Sequence, residues 1–288
     1  MPQRPFEWTN VVFIAIAHLL AVAAIVYMAV VHFSWWTLGL GALWFQCCNL
    51  SISGGYHRLF AHPTYKAAWP LRLFYLLFGA ASVQNSALKW AADHRVHHAF
   101  TDREQDPYNI RKGFWWAHIG WVLRKDPPKP EVSVTNDLMQ DPLIRFQERY
   151  YVLLAGGVGA VVPAAIGMAW GDAIGALLVV GFLRLVLQWH VTFSINSMAH
   201  CLGSQSYSKR VSARDSFWTA VVSMGEGYHN FHHRFQNDYR NGVRWYHYDP
   251  SKWFIWSLSH LGVTSALRRT PKIVIEQARL EVSNAPGD

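Results

Sequence analysis

Eight of the 15 histidines in this 288-residue chain fall in three short windows, His57–His62 (HRLFAH), His94–His98 (HRVHH) and His229–His233 (HNFHH). Neutral imidazole is a good ligand for iron, zinc, copper and nickel. Residues at i, i+3 and i+4 share one face of an α-helix. The spacing therefore predicts that His94, His97 and His98 present three imidazoles to one centre, and that His229, His232 and His233 do the same. His57 and His62, at i and i+5, bracket the end of an apolar stretch. His200 ends another such stretch, and Asn196 lies one turn earlier on the same face. Nine imidazoles and one amide thus converge at one edge. A tetrahedral site uses four ligands, so nine imply two metals.

The elements that carry these windows are apolar. Half of the residues are hydrophobic and 15% are charged, with 15 Trp, 12 Tyr and 16 Phe, a profile of membrane proteins with interfacial aromatic belts. A spanning helix needs about 20 apolar residues. Residues 11–31, 35–52, 150–170 and 173–195 meet or approach that length, and the joints between the first two and the last two allow only tight turns. The expected fold is an all-α integral membrane protein with four transmembrane helices in two hairpins. A cytoplasmic helical cap, from residues 57–149 and 200–288, completes a single domain over 1–288. Leu71–Val83 is short for a span and reads as an interfacial or re-entrant helix. All but one of the 26 Lys and Arg lie before the first span, in the central loop or after the last span. That puts both termini, the central loop and all three windows on the cytoplasmic side. The net charge of +8 is therefore a topology signal, and no nucleic-acid partner is expected. The exception, Arg184, sits inside the last span, where a charge points into the bundle. Three cysteines give no disulfide framework.

The windows and their surroundings resemble the membrane fatty-acid desaturases, in the branch that includes the stearoyl-coenzyme A desaturases. The resemblance runs from about Trp35 to Tyr239. It rests on the three histidine boxes, Trp90 and Asp93 beside the second box, Asp106–Pro107 after it, the Gly113–Trp121 segment GFWWAHIGW, NSMAH at 196–200 and GEGYHNFHH at 225–233. It implies that His57, His62, His94, His97, His98, His200, His229, His232 and His233 hold two iron ions, with Asn196 binding through a water. It also implies substrate contacts at Asn85, Trp90, Arg124 and Lys125. Asp93 and Asp106 match the family pattern and are expected to accept the second N–H of ligand histidines; Asp102, Glu104 and Glu226 are further acidic residues near the boxes. The remaining histidines, among them His18, His118 and His190, are expected in packing, interface or supporting roles.

The implied activity inserts a cis double bond, at the ninth carbon by family analogy, into a saturated acyl chain. It consumes dioxygen and two electrons. The chain carries no HPGG haem motif, no glycine-rich dinucleotide fingerprint and no iron–sulfur cysteine set, so the electrons are expected from a separate ferredoxin-type or cytochrome b5-type carrier. The acyl tail is expected in an apolar tunnel whose floor lies near Gly41, Trp44 and Phe45. The animal pattern has Arg where this chain has Ala92, which leaves coenzyme A, acyl-carrier protein and an intact glycerolipid open as the acyl carrier. The short lead before the first span resembles bacterial members, which points to a bacterial cell membrane. A hydroxylase or another di-iron oxygenase on the same scaffold is the nearest alternative. A membrane metal transporter is a remote one, because its ligands would lie near the bilayer midplane.

Overall fold

The computed structural model describes residues 4–125 and 135–285. The expected domain and cap ranges also include 1–3, 126–134 and 286–288, which lie outside the described residues. The fold is mostly helical. Among the described residues, three helices are long and apolar enough to cross a membrane: α1 (Trp8–Val31), α6 (Tyr151–Trp170) and α7 (Ala173–His200). The expected second span falls on a fourth long helix, α2, in which Trp35–Leu50 is α-helical and Ser51–Ala61 is π-helical. Thr37, Gln46 and Asn49 dilute its apolar character, which is why it does not join the other three. It also runs well past the expected end at Ile52. The last span likewise runs beyond Ile195, to His200.

The two tight turns between these helices meet. Asp172, at the α6–α7 turn, accepts hydrogen bonds from the Tyr27 hydroxyl at 2.9 Å and the Thr37 hydroxyl at 2.5 Å, and it caps α7 at the Gly175 N–H. Trp170 Nε1 donates to Thr37 Oγ1 as well. A buried carboxylate that satisfies three donors ties the two hairpins together at the end remote from the three histidine windows. Farther along, the buried Arg184 donates to the carbonyls of Val180 and Ala81 and to Gln188 Oε1. Its charge points into the bundle, where carbonyl dipoles and an amide oxygen take up its donors.

The remaining helices are α3 (Trp69–Ala80), α4 (Ala87–Phe100), α5 (Pro142–Arg149), α8 (Phe217–Val222), α9 (His229–Arg234), α10 (Pro250–His260) and α11 (Lys272–Ser283). One-turn helices lie near 110–120 and at Asn136–Met139. A two-residue antiparallel ribbon pairs β1 (Lys66–Ala67) with β2 (Thr264–Ser265). Two glycines set the distance between α2 and α3. A Cβ at Gly55 would fall 2.6 Å from the Tyr75 side chain, and one at Gly79 would fall 2.3 Å from Tyr56. Each tyrosine lies on the opposite helix's glycine, which brings the π-helical part of α2 under α4.

Candidate metal centre

The π-helical stretch explains the HxxxxH spacing. His62 N–H donates to the His57 carbonyl at 3.1 Å, an i+5 bond that places both rings on one side, 5.1 Å apart. The sequence expectation of a helix end is met one turn later, because His62 is the residue that terminates the π-helix. Single π turns often occur at functional sites. α4 begins at its N-cap Ser86, whose hydroxyl accepts from Lys89 N–H. α9 is only six residues long and is capped from outside. Asp215 Oδ1 accepts from Asn230 and Phe231 N–H at 2.8 and 3.1 Å, and burial pushes its carboxyl up to about 7. The Asn230 side chain then bonds Tyr207 N–H and the carbonyls of Ser208 and Ala213.

All nine histidines come together, in two clusters. His57, His62, His94, His98 and His232 form one, and His97, His200, His229 and His233 the other; within each, the ring nitrogens lie within 4.8 Å of one another. This corrects one step of the sequence argument, because neither triplet serves a single centre. At about 100° per residue, i+4 lies about 40° to one flank of i and i+3 about 60° to the other, so the two are about 100° apart. So His94 and His98 face one cluster and His97 the other; on α9, His229 and His233 pair and His232 crosses over.

The tautomers follow from the groups behind the rings. His57 Nδ1–H donates to Glu226 Oε2 and His97 Nδ1–H to Asp106 Oδ1, both at 2.8 Å. His200 Nδ1–H donates to Ser212 Oγ at 2.7 Å, and Ser212 donates on to Asp102 Oδ1 at 2.5 Å. Each Nε2 is thereby left as a lone pair aimed inward. Burial, reinforced by neighbouring histidines, pushes His62, His94, His98, His229, His232 and His233 well below the ordinary imidazole range, so they are neutral ligands at pH 7.

The inward nitrogens fit cations. His94 and His62 Nε2 are 2.8 Å apart, His232 and His98 2.9 Å, His57 and His232 3.0 Å, and His233 and His229 3.0 Å. Lone pairs facing one another at such distances repel unless a positive charge lies among them. Imidazoles at neighbouring positions on one ion, with bonds of about 2.1 Å, stand about 3.0 Å apart. His200 Nε2 is buried with no hydrogen-bond partner, which fits a nitrogen that serves as a metal ligand.

Behind the five-histidine cluster lies a charged network. Burial would raise the Glu226 carboxyl, but His57, Arg58 and Ser53 hold it below the usual carboxylate range. Arg58 is fully buried between Glu226 and Asp249, at 2.8 and 3.0 Å. Of the acidic residues near the boxes, Asp106, Glu226 and, through Ser212, Asp102 support ligand rings, while Glu104 pairs with Lys112 at 3.2 Å on the surface. Asp93 lines the cavity described next. Ser212 was missed from sequence because it lies far from every box; only the unassigned Nδ1 of His200 could have signalled it.

A cavity of about 280 Å³ opens beside both clusters. His57, His94, His97 and His229 form part of its wall, opposite Phe13, Ile14, Trp189 and Phe193. Asn85, Trp90, Asp93 and Asn196 line it as well. Gly41, Trp44 and Phe45 do not. Trp44 Nε1 donates to the Val158 carbonyl and its ring meets Phe78, while Gly41 faces Val179. On α2, Gly41 thus packs toward α7 and Trp44 toward α6. Arg124 and Lys125 also lie off the cavity. The Arg124 guanidinium sits 3.7 Å from the Phe6 ring centre and donates to the Arg4 carbonyl, and Lys125 N–H bonds the Pro5 carbonyl.

The fatty acid desaturase family model matches residues 33–259. The chain is 45% identical over 235 residues to acyl-CoA desaturase 1 of Saccharomyces cerevisiae, covering 81% of this chain and 46% of that protein. It is 43% identical to a probable acyl-CoA desaturase of Schizosaccharomyces pombe, over 84% of this chain and 51% of the relative. It is 34% identical to stearoyl-CoA desaturase 4 of Mus musculus, over 95% and 79%. The chain spans about half the length of the two yeast relatives.

Proposed function

The chain belongs to the fatty acid desaturase family, and from that premise we propose that it is an oxygen-dependent acyl desaturase. It inserts a cis double bond, at the ninth carbon, into a saturated chain carried as a coenzyme A thioester. The relatives' names support the coenzyme A thioester, and the bond position follows the family resemblance of the histidine boxes. The observation that carries the reading is the meeting of two polyhistidine clusters with one apolar cavity. Two irons would be held by the five-histidine and four-histidine clusters, with Asn196, on the cavity wall, completing the smaller set through a water. When bound, such irons supply the oxidising power that removes hydrogen from an unactivated methylene.

The chain's own residues do the positioning. Phe13, Ile14, Trp189 and Phe193 exclude water from the acyl tail, and His57, His94, His97 and His229 border the same space. Asn85 and Trp90 belong to the substrate wall. Asp106, Glu226 and Ser212 fix three ligand rings, with Asp93 on the cavity side. Arg124 and Lys125 would meet the acyl carrier's phosphates outside the cavity. Electrons come from a separate acidic carrier attracted to the basic face.

The chain is a membrane protein, and its four long helices are read as two spanning hairpins under one cap in a single domain. Support comes from the meeting of both tight turns at Asp172, away from the three histidine windows. The lysine and arginine distribution supports a cytoplasmic cap. The relatives named above come from yeasts and a mammal, so a bacterial membrane has only the sequence resemblance behind it.

The test is mass spectrometry of fatty acids from a desaturase-deficient host fed deuterated stearate, with His98→Ala as control. A new monoene that is absent from the control is expected. A hydroxy acid in its place would assign the chain to a different oxygenase.

A further inference from the structure

A second pocket, of about 220 Å³, lies on the other side of two residues that line the first cavity. Asn85 and Tyr151 belong to both walls. Asn85 lies in the joint between α3 and α4, and Tyr151 opens α6. The joint is a strained piece of chain. Val83 and Asn85 both take left-handed backbone angles, with φ of 49° and 73°, and a β-branched residue enters that region only under constraint. Val83 lines the first cavity as well.

The second pocket has two unlike ends. Ser86, Lys89, Glu148 and Arg149 form the polar end, and Tyr150, Val152 and Leu153 the other. Val152 and Leu153 are 79% and 72% exposed at the start of a helix that is long and apolar enough to cross a membrane. Such a surface faces hydrocarbon. Arg149 and Tyr150 directly precede it, so the pocket straddles the boundary between lipid tails and headgroups.

The polar end carries an excess of positive charge. Among the described residues, neither the Lys89 ammonium nor the Arg149 guanidinium pairs with a carboxylate, and Arg149 rests on the Tyr150 ring, 5.4 Å from its centre. Glu148 lies on the same wall, but its carboxylate accepts from the Ser86 hydroxyl. Ser86 is the N-cap of α4, and the dipole of that helix offsets the carboxylate's charge. Two cations and one engaged carboxylate leave one net positive charge above an apolar foot.

We propose that this pocket binds the phosphate of an anionic phospholipid between Lys89 and Arg149, with the lipid's acyl chains lying along Val152 and Leu153. One net positive charge matches a phosphodiester, which carries a single negative charge. A zwitterionic lipid brings a cation of its own to a site that already holds two. The site is separate from Arg124 and Lys125, which were assigned above to the acyl carrier, and its occupant is a resident lipid that is not consumed. The bound headgroup sits behind Asn85 and Tyr151 and so braces one wall of the acyl cavity. The proposal rests on the membrane placement of α6 and is independent of the reaction performed in that cavity.

The experiment uses the iron-loaded full chain, purified in detergent and stripped of lipid, with dioleoyl-phosphatidylglycerol as the probe. Native mass spectrometry counts bound lipid, and the melting temperature is followed as lipid is added. The parent is expected to hold one phosphatidylglycerol and to melt higher with it. Dioleoyl-phosphatidylcholine at the same concentration is expected to do neither, a comparison that needs no variant. The double variant Lys89→Gln, Arg149→Gln is expected to bind roughly thirtyfold more weakly, from about 1 kcal/mol per basic residue at a lipid surface. Arg103→Gln with Arg111→Gln removes the same charge from exposed positions that do not line the pocket, and is expected to bind as the parent does. Equal binding of phosphatidylcholine by the parent overturns the proposal, as does equal weakening in the two double variants. Displacement of the lipid by millimolar inorganic phosphate or coenzyme A would assign the pocket to a soluble phosphate and would also overturn it.

Discussion

The two histidine clusters share α4 and α9, the end of α2 completing the first and the end of α7 the second, but they are backed differently. Behind the five-histidine cluster the support is ionic and fully buried, with His57 on Glu226, Glu226 on Arg58, and Arg58 on Asp249. Behind the four-histidine cluster the support is a set of shorter connections, His97 to Asp106 and His200 through Ser212 to Asp102. The first cluster offers five imidazoles and the second four, with Asn196 on the cavity wall. Both clusters border the cavity, His57 and His94 from the first and His97 and His229 from the second, so what differs between them is the backing and not the access.

The hardest way to break that comparison is to remove a ligand. His98→Ala and His232→Ala should each abolish product formation while the chain still inserts in the membrane, because both take an inward nitrogen from the five-histidine cluster. Near-parental turnover in either variant would sink the ligand assignment. The next contrast is between the supports. Glu226→Gln should lower metal affinity about tenfold to a hundredfold. It should also destabilise the fold by roughly 3–5 kcal/mol, since Arg58 would be left buried with half of its countercharge. Asp106→Asn should give a comparable loss of affinity without that loss of stability. Titration of metal into the apo-proteins, with melting curves for each, separates the two. Equal destabilisation by both would mean that the clusters are supported alike.

Ser212→Ala is the finer form of the same test. It removes the acceptor for His200 Nδ1 and one donor to Asp102. The expected cost is about 1–3 kcal/mol in stability and about tenfold in affinity, confined to the four-histidine cluster. A matching loss at the five-histidine cluster would show that the two are coupled through α9.

How much of this was legible in the sequence follows from which interactions are local. The nine histidines announce themselves by spacing, and Asp106 lies close enough to its box to be suspected. The split of each triplet is legible too, because i+4 and i+3 lie on opposite flanks of i, about 100° apart. Ser212, by contrast, is brought to His200 by a chain reversal that no periodicity marks. The π-helical end of α2 depends on the mutual packing of Gly55, Tyr75, Gly79 and Tyr56, a tertiary fit with no signal in hydropathy. Which face of an apolar helix meets a cavity and which meets another helix is likewise decided by partners distant in sequence, as the packing of Gly41 and Trp44 against α7 and α6 illustrates. His18, His118 and His190 lie 72 to 172 residues apart, so only the fold makes them neighbours.

Acid provides the gentlest probe of the comparison. Protons compete with metal for imidazole, and ordinary imidazoles, with pKa near 6.5, would release metal steeply below that pH. Burial holds six of the clustered rings well below the ordinary range. A group whose folded pKa is depressed below its unfolded value binds fewer protons in the folded state between those two values. Metal-free protein should therefore lose stability as pH falls through 6.5, because the unfolded chain takes up protons that the folded clusters refuse. Metal in the folded protein should show the opposite tolerance, with retention nearly flat from pH 7.5 to pH 6 by metal analysis after dialysis. A release midpoint near 6.5 with several-proton steepness would mean that solvent reaches the rings. Glu226→Gln sharpens the probe, since the carboxylate that fixes the His57 tautomer is gone. Its release should begin at higher pH than in the parent, and the metal lost first should come from the five-histidine cluster.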